Sequence, residues 1–169
     1  FLVLLSTMML PGQVTMIPLY MWYAKLGWVN TYRPMIVPTF FGSAFHIFLL
    51  RQFFMTIPHE LDDAAKIDGC GYVRTLYNII LPLALPALGV VAIFNFNTHW
   101  SEFLGPLIYL QSLERYTIAI GLRLFQTREN TDMPWLMAMA VVALLPQIII
   151  FFLAQRQLVQ GVVLTGIKG

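Results

Sequence analysis

Residues 75–101 form a run of 27 without an Asp, Glu, Lys or Arg, and residues 134–155 form another of 22. A bilayer core is crossed by roughly 20 mostly apolar helical residues, so each run is long enough to span. Residues 1–24 and 34–50 are also uncharged, the second closed by Arg51 and extended by Phe53 and Phe54. Backbone N–H and C=O groups in lipid have no water to pair with, and leaving them unpaired is prohibitive. A helix pairs them within itself, whereas a barrel needs an alternation of apolar and polar residues that these runs lack. The expectation is an all-α, polytopic transmembrane helical bundle with about four spans. The first should be bent, or preceded by a turn, because it holds Pro11, Gly12 and Pro18.

Composition agrees. Hydrophobic residues make up 59% of the chain and charged residues 11%, with a mean hydropathy of +0.73, whereas a soluble domain carries about 25% charged residues. The net charge of +2 is scattered and weak, which argues against a nucleic-acid partner. The single cysteine, Cys70, allows no internal disulfide. Phe1 sits inside an apolar run with no charged leader before it. The expectation is a fragment that starts within or just before a span.

Three polar stretches separate the runs: 25–33, about 51–74 and about 102–133. Lys and Arg should mark the cytoplasmic side. One side receives Arg51, Lys66, Arg74, Arg156 and Lys168, and the other Lys25, Arg33, Arg115, Arg123 and Arg128. The tie leaves orientation to the second loop.

That loop contains Thr56-Ile-Pro-His-Glu-Leu-Asp-Asp-Ala-Ala-Lys-Ile-Asp-Gly69, which predicts a short surface helix. Pro58 suits a first turn and Thr56 a cap. Glu60, Asp62 and Asp63 favour the positive helix end and Lys66 the negative one, while Gly69 can adopt the left-handed conformation that stops a helix. Leu61, Ala64, Ala65 and Asp68 fall at i, i+3, i+4 and i+7, giving one narrow face for docking.

Asp63-Ala64-Ala65, three residues, Gly69, nine residues and Ile79-x-Leu81-Pro82 resemble the E-A-A-x3-G-x9-I-x-L-P loop of ABC importer permeases, with Asp for the leading Glu. The carbohydrate-importing branch, of maltose and glycerol-phosphate type, is similar along the whole chain. The resemblance includes Leu10-Pro-Gly-Gln-Val-Thr15, Ile17-Pro-Leu-Tyr20, Phe48-Leu-Leu-Arg-Gln-Phe53, Ile57-Pro58, Ile67-Asp-Gly69, and the closing Gln155-Arg-x-x-Val-Gln-Gly161 with Lys168-Gly169. It implies that residues 1–169 are the C-terminal part of a permease domain whose two N-terminal spans are missing, and that 56–82 is a cytoplasmic coupling loop. Glu60, Leu61, Asp63, Ala64, Ala65, Asp68, Gly69, Ile79, Leu81 and Pro82 would then serve ATPase coupling. The C-terminus would be cytoplasmic, and 25–33 and 102–133 would face outward.

Asn95, His99 and Glu102 recur at i, i+4 and i+7, beside Asn97 and Thr98. Ionisable groups near the bilayer centre cost about 2.5–3.5 kcal/mol even on the lenient scale, so Glu102 should lie near the outer end or in a wet interior. The candidate substrate pathway is Asn95, Asn97, His99, Trp100 and Glu102, with Trp100 or Phe103 as a platform for a sugar face. Interhelical hydrogen bonding explains the same residues without a solute. The family often carries Trp-Asn-Glu/Asp-Phe where this chain has Trp100-Ser101-Glu102-Phe103.

His59-Glu60-x-x-Asp63 lacks the second His of a metalloprotease helix. Gly69-Cys-Gly71 lacks the Lys-Ser/Thr of a phosphate loop, so no metal, nucleotide or other cofactor is expected on this chain. ATP and Mg belong, by resemblance, to a partner. His46 reads as a packed imidazole, Cys70 as inert, and the mixed charges of Glu114, Arg115, Arg123, Arg128, Glu129 and Asp132 as a solvated loop or interfacial helix. The implied partners are an ATP-binding subunit dimer, a second permease subunit, an extracytoplasmic solute-binding protein and the lipid bilayer. The expected function is import of a sugar or sugar-like solute. The alternatives are a non-sugar ABC permease, an ion-coupled secondary transporter, which would need deep paired carboxylates, and an intramembrane enzyme, which would need a catalytic set that is not found.

Overall fold

The computed structural model describes residues 1–126 and 132–166, with side chains through Gln155. Arg128 and Glu129 in the third polar stretch lie outside the described residues, as do the side chains of the closing motif from Arg156 to Gly169. The helices are α1 (Leu2–Thr7), α2 (Gly12–Lys25), α3 (Arg33–Ile36), α4 (Ala44–Phe54), α5 (Glu60–Ile67), α6 (Tyr72–Thr75), α7 (Leu81–Trp100), α8 (Leu104–Tyr109), α9 (Ile118–Leu124) and α10 (Met133–Gly166). Tighter 3₁₀ turns occupy Val37–Phe41 and Leu113–Arg115, and a wider π turn occupies Leu76–Ile80.

Among the described residues, three helical stretches are long and apolar enough to cross a membrane: Arg33–Phe54, Tyr72–Trp100 and Met133–Gln155. They match three of the four expected runs. The first run breaks between α1 and α2, because Pro11 offers no amide and turns Leu10 away from helical geometry. Its longer piece has 14 residues, about 21 Å of helix at 1.5 Å per residue, short of the roughly 30 Å hydrocarbon core. Arg33–Phe54 is interrupted at Gly42, whose φ of 75° is the left-handed region. Pro82 explains the π turn before α7. Its missing N–H cannot bond the Asn78 carbonyl, and a wider turn carries the chain past that gap.

The chain divides into two compact units, one of residues 1–44 and 96–150 and the other of 45–95 and 151–169. In the first, Tyr23, Tyr109, Leu110 and Ile120 are buried. The Tyr23 ring stacks on Trp28 at 5.6 Å and meets Tyr109 edge-on at 5.5 Å, contacts worth about 0.5–1.5 kcal/mol each beyond area burial. In the second, the buried side chains among the described residues are Ala65, Ala84, Ala87, Ile93 and Ala154. Alanine lets backbones approach closely where lipid supplies no hydrophobic drive. Large apolar side chains such as Phe151, Phe152 and Leu153 are exposed instead, the inverse of a soluble core.

Candidate functional site

The predicted surface helix forms as α5. Its start differs from expectation: Thr56 is not the cap, because its hydroxyl donates to the Phe53 carbonyl at 2.7 Å and so closes the preceding helix. The turn instead opens at Pro58, whose carbonyl accepts the Leu61 amide at 3.3 Å. Glu60, Asp62 and Asp63 occupy the first turn and Lys66 the last. Lys66 Nζ donates to Asp63 Oδ1 at 2.9 Å, and this bond raises the Lys66 ammonium above its ordinary value. Both side chains are exposed, so the pair adds little stability.

The C-terminal stop is a Schellman motif. The Gly69 amide bonds the Lys66 carbonyl at 3.0 Å and the Cys70 amide reaches back to Ala65 at 2.8 Å. Gly69 has a φ of 74°, and a Cβ built on it would meet nothing within 4 Å. Its requirement is therefore conformational, not steric. Beyond it, α6 and the π turn bring the chain to Ile79, Leu81 and Pro82, the first two half-buried and the third exposed. A cleft of about 400 Å³ lies beside α5, bordered by Asp62, Lys66, Cys70, Tyr72 and Thr75.

The expected docking face is split. Ala65 is 1% exposed and Leu61 half-buried, whereas Glu60, Asp63, Ala64 and Asp68 are exposed. Ala65 thus packs inward, and the outward face adds Ile67, 87% exposed, with Tyr72 at 88% just past the turn. Ile67 lies outside the i, i+3, i+4, i+7 stripe of Leu61, Ala64, Ala65 and Asp68, so helical spacing does not single it out.

The polar residues of the third run also part company. Asn95, Asn97, His99 and Trp100 lie on α7, with Asn95, Asn97 and His99 exposed. The helix ends there, the Ser101 amide bonding the Asn97 carbonyl at 3.1 Å. Glu102 follows the break and does not continue the Asn95 and His99 face. Pro106 supplies the reason: in an unbroken helix it would leave the Glu102 carbonyl without its bond and clash with it. Trp100 is half-buried and held from two directions. Its Nε1 donates to the Ala143 carbonyl at 2.9 Å and its ring stacks on Phe96 at 5.4 Å. Ser101 Oγ accepts from Gln147 Nε2 at 2.7 Å, so Trp100 and Ser101 tie the end of α7 to α10.

A junction absent from the sequence reading is built on Asn30, at φ 59°. Its Oδ1 accepts the Gln111 and Ser112 amides, each at 3.1 Å, and its Nδ2 donates to Ser112 Oγ at 2.7 Å. Its own amide donates to the Tyr109 carbonyl at 2.7 Å, and its carbonyl accepts from the Arg115 guanidinium. The only local signal is an Asn in a short polar link after Gly27, a residue type that tolerates left-handed backbone. The partners lie some 80 positions away.

The described residues are mainly helical, with three stretches long and apolar enough to cross a membrane, an acidic helix outside them and polar side chains at one end of a long apolar helix. The chain matches the model of the binding-protein-dependent transport system inner membrane component family over residues 1–164, and it belongs to that family. It is 36% identical over 169 residues to the arabinooligosaccharides transport system permease protein AraQ of Halalkalibacterium halodurans, covering 100% of this chain and 60% of the relative. It is 36% identical over 167 residues to the sn-glycerol-3-phosphate transport system permease protein UgpE of Brucella melitensis, covering 98% and 59%. The chain thus spans about three-fifths of the length of these relatives. It shares the fold of a bacterial ABC transporter involved in the import of the acidic polysaccharide alginate, with a TM-score of 0.76 and 22% identity over 91% of this chain and 59% of that one. The family is one of multi-pass membrane transport subunits, not enzymes.

Proposed function

We propose that the chain is part of the membrane-spanning permease of an ATP-driven importer, moving a sugar or sugar-like solute delivered by an external binding protein. The observation that carries this is α5: a short acidic helix outside the apolar stretches, closed by a left-handed glycine and leading through Ile79, Leu81 and Pro82 into α7. Such a helix performs no chemistry. It is seated by shape and rim charge on a partner that opens and closes with ATP and Mg, and its displacement moves the attached span. Glu60, Asp63, Ala64, Asp68 and the exposed Ile67 form the seat, Leu61 and Ala65 anchor it to the chain, and Gly69 sets the reversal. Alternating access then follows as a population shift between inward- and outward-open states.

In this reading α5 and the C-terminus are cytoplasmic, and a second permease subunit and an ATPase pair complete the assembly. The solute class rests on the two relatives, one named for arabinooligosaccharides and one for glycerol phosphate. Asn95, Asn97, His99 and Glu102 are the pathway candidates. The test is to purify the chain from its host and measure nucleotide-dependent uptake in vesicles after changing Asn97, His99 and Glu102 singly. Co-purification of an ATPase and loss of uptake in at least one variant are expected. Uptake without nucleotide overturns the importer reading, and unchanged uptake in all three variants removes these residues from the path.

A further inference from the structure

Between Gly69 and Ser101 the sequence contains no acid, and its one Lys or Arg is Arg74. Just past the turn at Gly69, Tyr72, Val73, Leu76 and Tyr77 recur at i, i+1, i+4 and i+5, along α6 and into the π turn. Side chains at that spacing share one side of a helical stretch. All four are exposed, Val73 at 70% and Tyr77 at 64%. Thr75, Ile79 and Ile80 are half-buried instead, so the stripe is the side that the rest of the chain leaves uncovered. Arg74 is exposed as well, and it pairs with no carboxylate among the described residues. Length indicates what meets this side. Tyr72–Trp100 holds 29 residues, about 43 Å at 1.5 Å per residue, against a hydrocarbon core of roughly 30 Å. Polar side chains end its apolar part in both directions, Asn78 before Ile79 and Asn95 after Phe94. The surplus on the α5 side is therefore 72–78, at the level of the lipid headgroups. Tyrosine, with an apolar ring and a polar tip, favours that layer, and a long arginine side chain carries its charge to the phosphates.

We propose that the stripe of Tyr72, Val73, Leu76 and Tyr77 is a lipid contact. It lies in the headgroup layer on the α5 side of the membrane, with Arg74 at the phosphates, and it fixes the depth at which α5 stands. The contact goes beyond the importer reading and rests on it only in making that leaflet the cytoplasmic one. Charge separates this surface from the seat on α5. Lipid phosphates attract a cation and repel carboxylates, and Glu60, Asp63 and Asp68 all precede Gly69 whereas the stripe follows it. The stripe is also continuous with the apolar stretch it opens, Tyr72–Trp100. One loop thus presents an acidic helix to a protein and, past its glycine, an aromatic side to lipid.

The test is electron paramagnetic resonance on the assembled transporter in nanodiscs, with cysteine-free partner subunits and Cys70→Ser in this chain. A nitroxide is attached in turn through Val73→Cys, Tyr77→Cys and, within the span, Leu85→Cys. Its depth is read from collision with oxygen, which concentrates in lipid, against collision with a water-soluble nickel chelate. Phospholipids labelled at the headgroup and at mid-chain calibrate the scale. Labels at 73 and 77 should match the headgroup-labelled lipid and the label at 85 the chain-labelled one. Arg74→Glu should shift the label at 73 toward water, and no shift would overturn the role of the arginine. Labels at 73 and 77 as wet as free nitroxide in buffer, or as deep as the label at 85, overturn the contact. So do labels that neither reagent reaches until the ATPase is stripped away, which would give the stripe to that partner. The chelate added outside sealed, right-side-out vesicles should reach neither 73 nor 77. If it reaches them while headgroup depth is kept, the inner leaflet and the importer reading fail and the lipid contact stands.

Discussion

Asn30 and Gly69 both occupy left-handed backbone, and they do so for different reasons. Asn30 adds three side-chain hydrogen bonds to that conformation, each worth about 0.5–1.5 kcal/mol net. Asn30→Ala loses these bonds and adds the left-handed penalty of about 1–2 kcal/mol, so the solubilised protein should be destabilised by about 2.5–6.5 kcal/mol. Asn30→Gly should recover the conformational part alone. Equal unfolding midpoints for the two variants would show that backbone conformation contributes nothing there. Gly69 has open space around it, so the order of tolerance should follow φ, not size. Gly69→Asn should preserve ATP-coupled uptake, whereas Gly69→Val should insert normally yet hydrolyse ATP without matching transport. Normal uptake in Gly69→Val contradicts the hinge role.

At the scale of elements, three long apolar helices and α5 were legible because their signals are local: an uncharged run, acids at one helix end, a glycine at the other. The inward turn of Ala65 was not, since helical spacing identifies a stripe but not which neighbour it meets. Glu102 was misplaced by extending a 3.6-residue period past the end of its helix. The Gly105-Pro106 pair held the signal for that break. Trp100, read as a possible sugar platform, donates its indole N–H to the Ala143 carbonyl of α10, 43 positions away. Trp100→Phe and Gln147→Leu should each lower stability by about 0.6 kcal/mol, the average for hydrogen bonds between membrane helices, with uptake retained. Lost uptake at unchanged stability in Trp100→Phe would return the indole to the solute path.

On the scale of the whole molecule, most of the large apolar side chains among the described residues are exposed, and the buried apolar ones are four alanines, two tyrosines, two isoleucines and a leucine. Stability then comes from the bilayer and from other subunits as much as from the chain itself. Detergent extraction should therefore lower the unfolding temperature of the isolated chain more than that of the assembly, and an equal loss in both would argue against stabilising subunit contacts. The central claim is that α5 is the seat of an ATP-hydrolysing partner on the inner side of the membrane. The direct measurement is site-specific cross-linking from Ile67→Cys in a Cys70→Ser chain within intact membranes. The account predicts a product with the ATPase subunit whose yield changes with bound nucleotide. Modification of that cysteine by a membrane-impermeant thiol reagent added from outside, with no ATPase product, would contradict it.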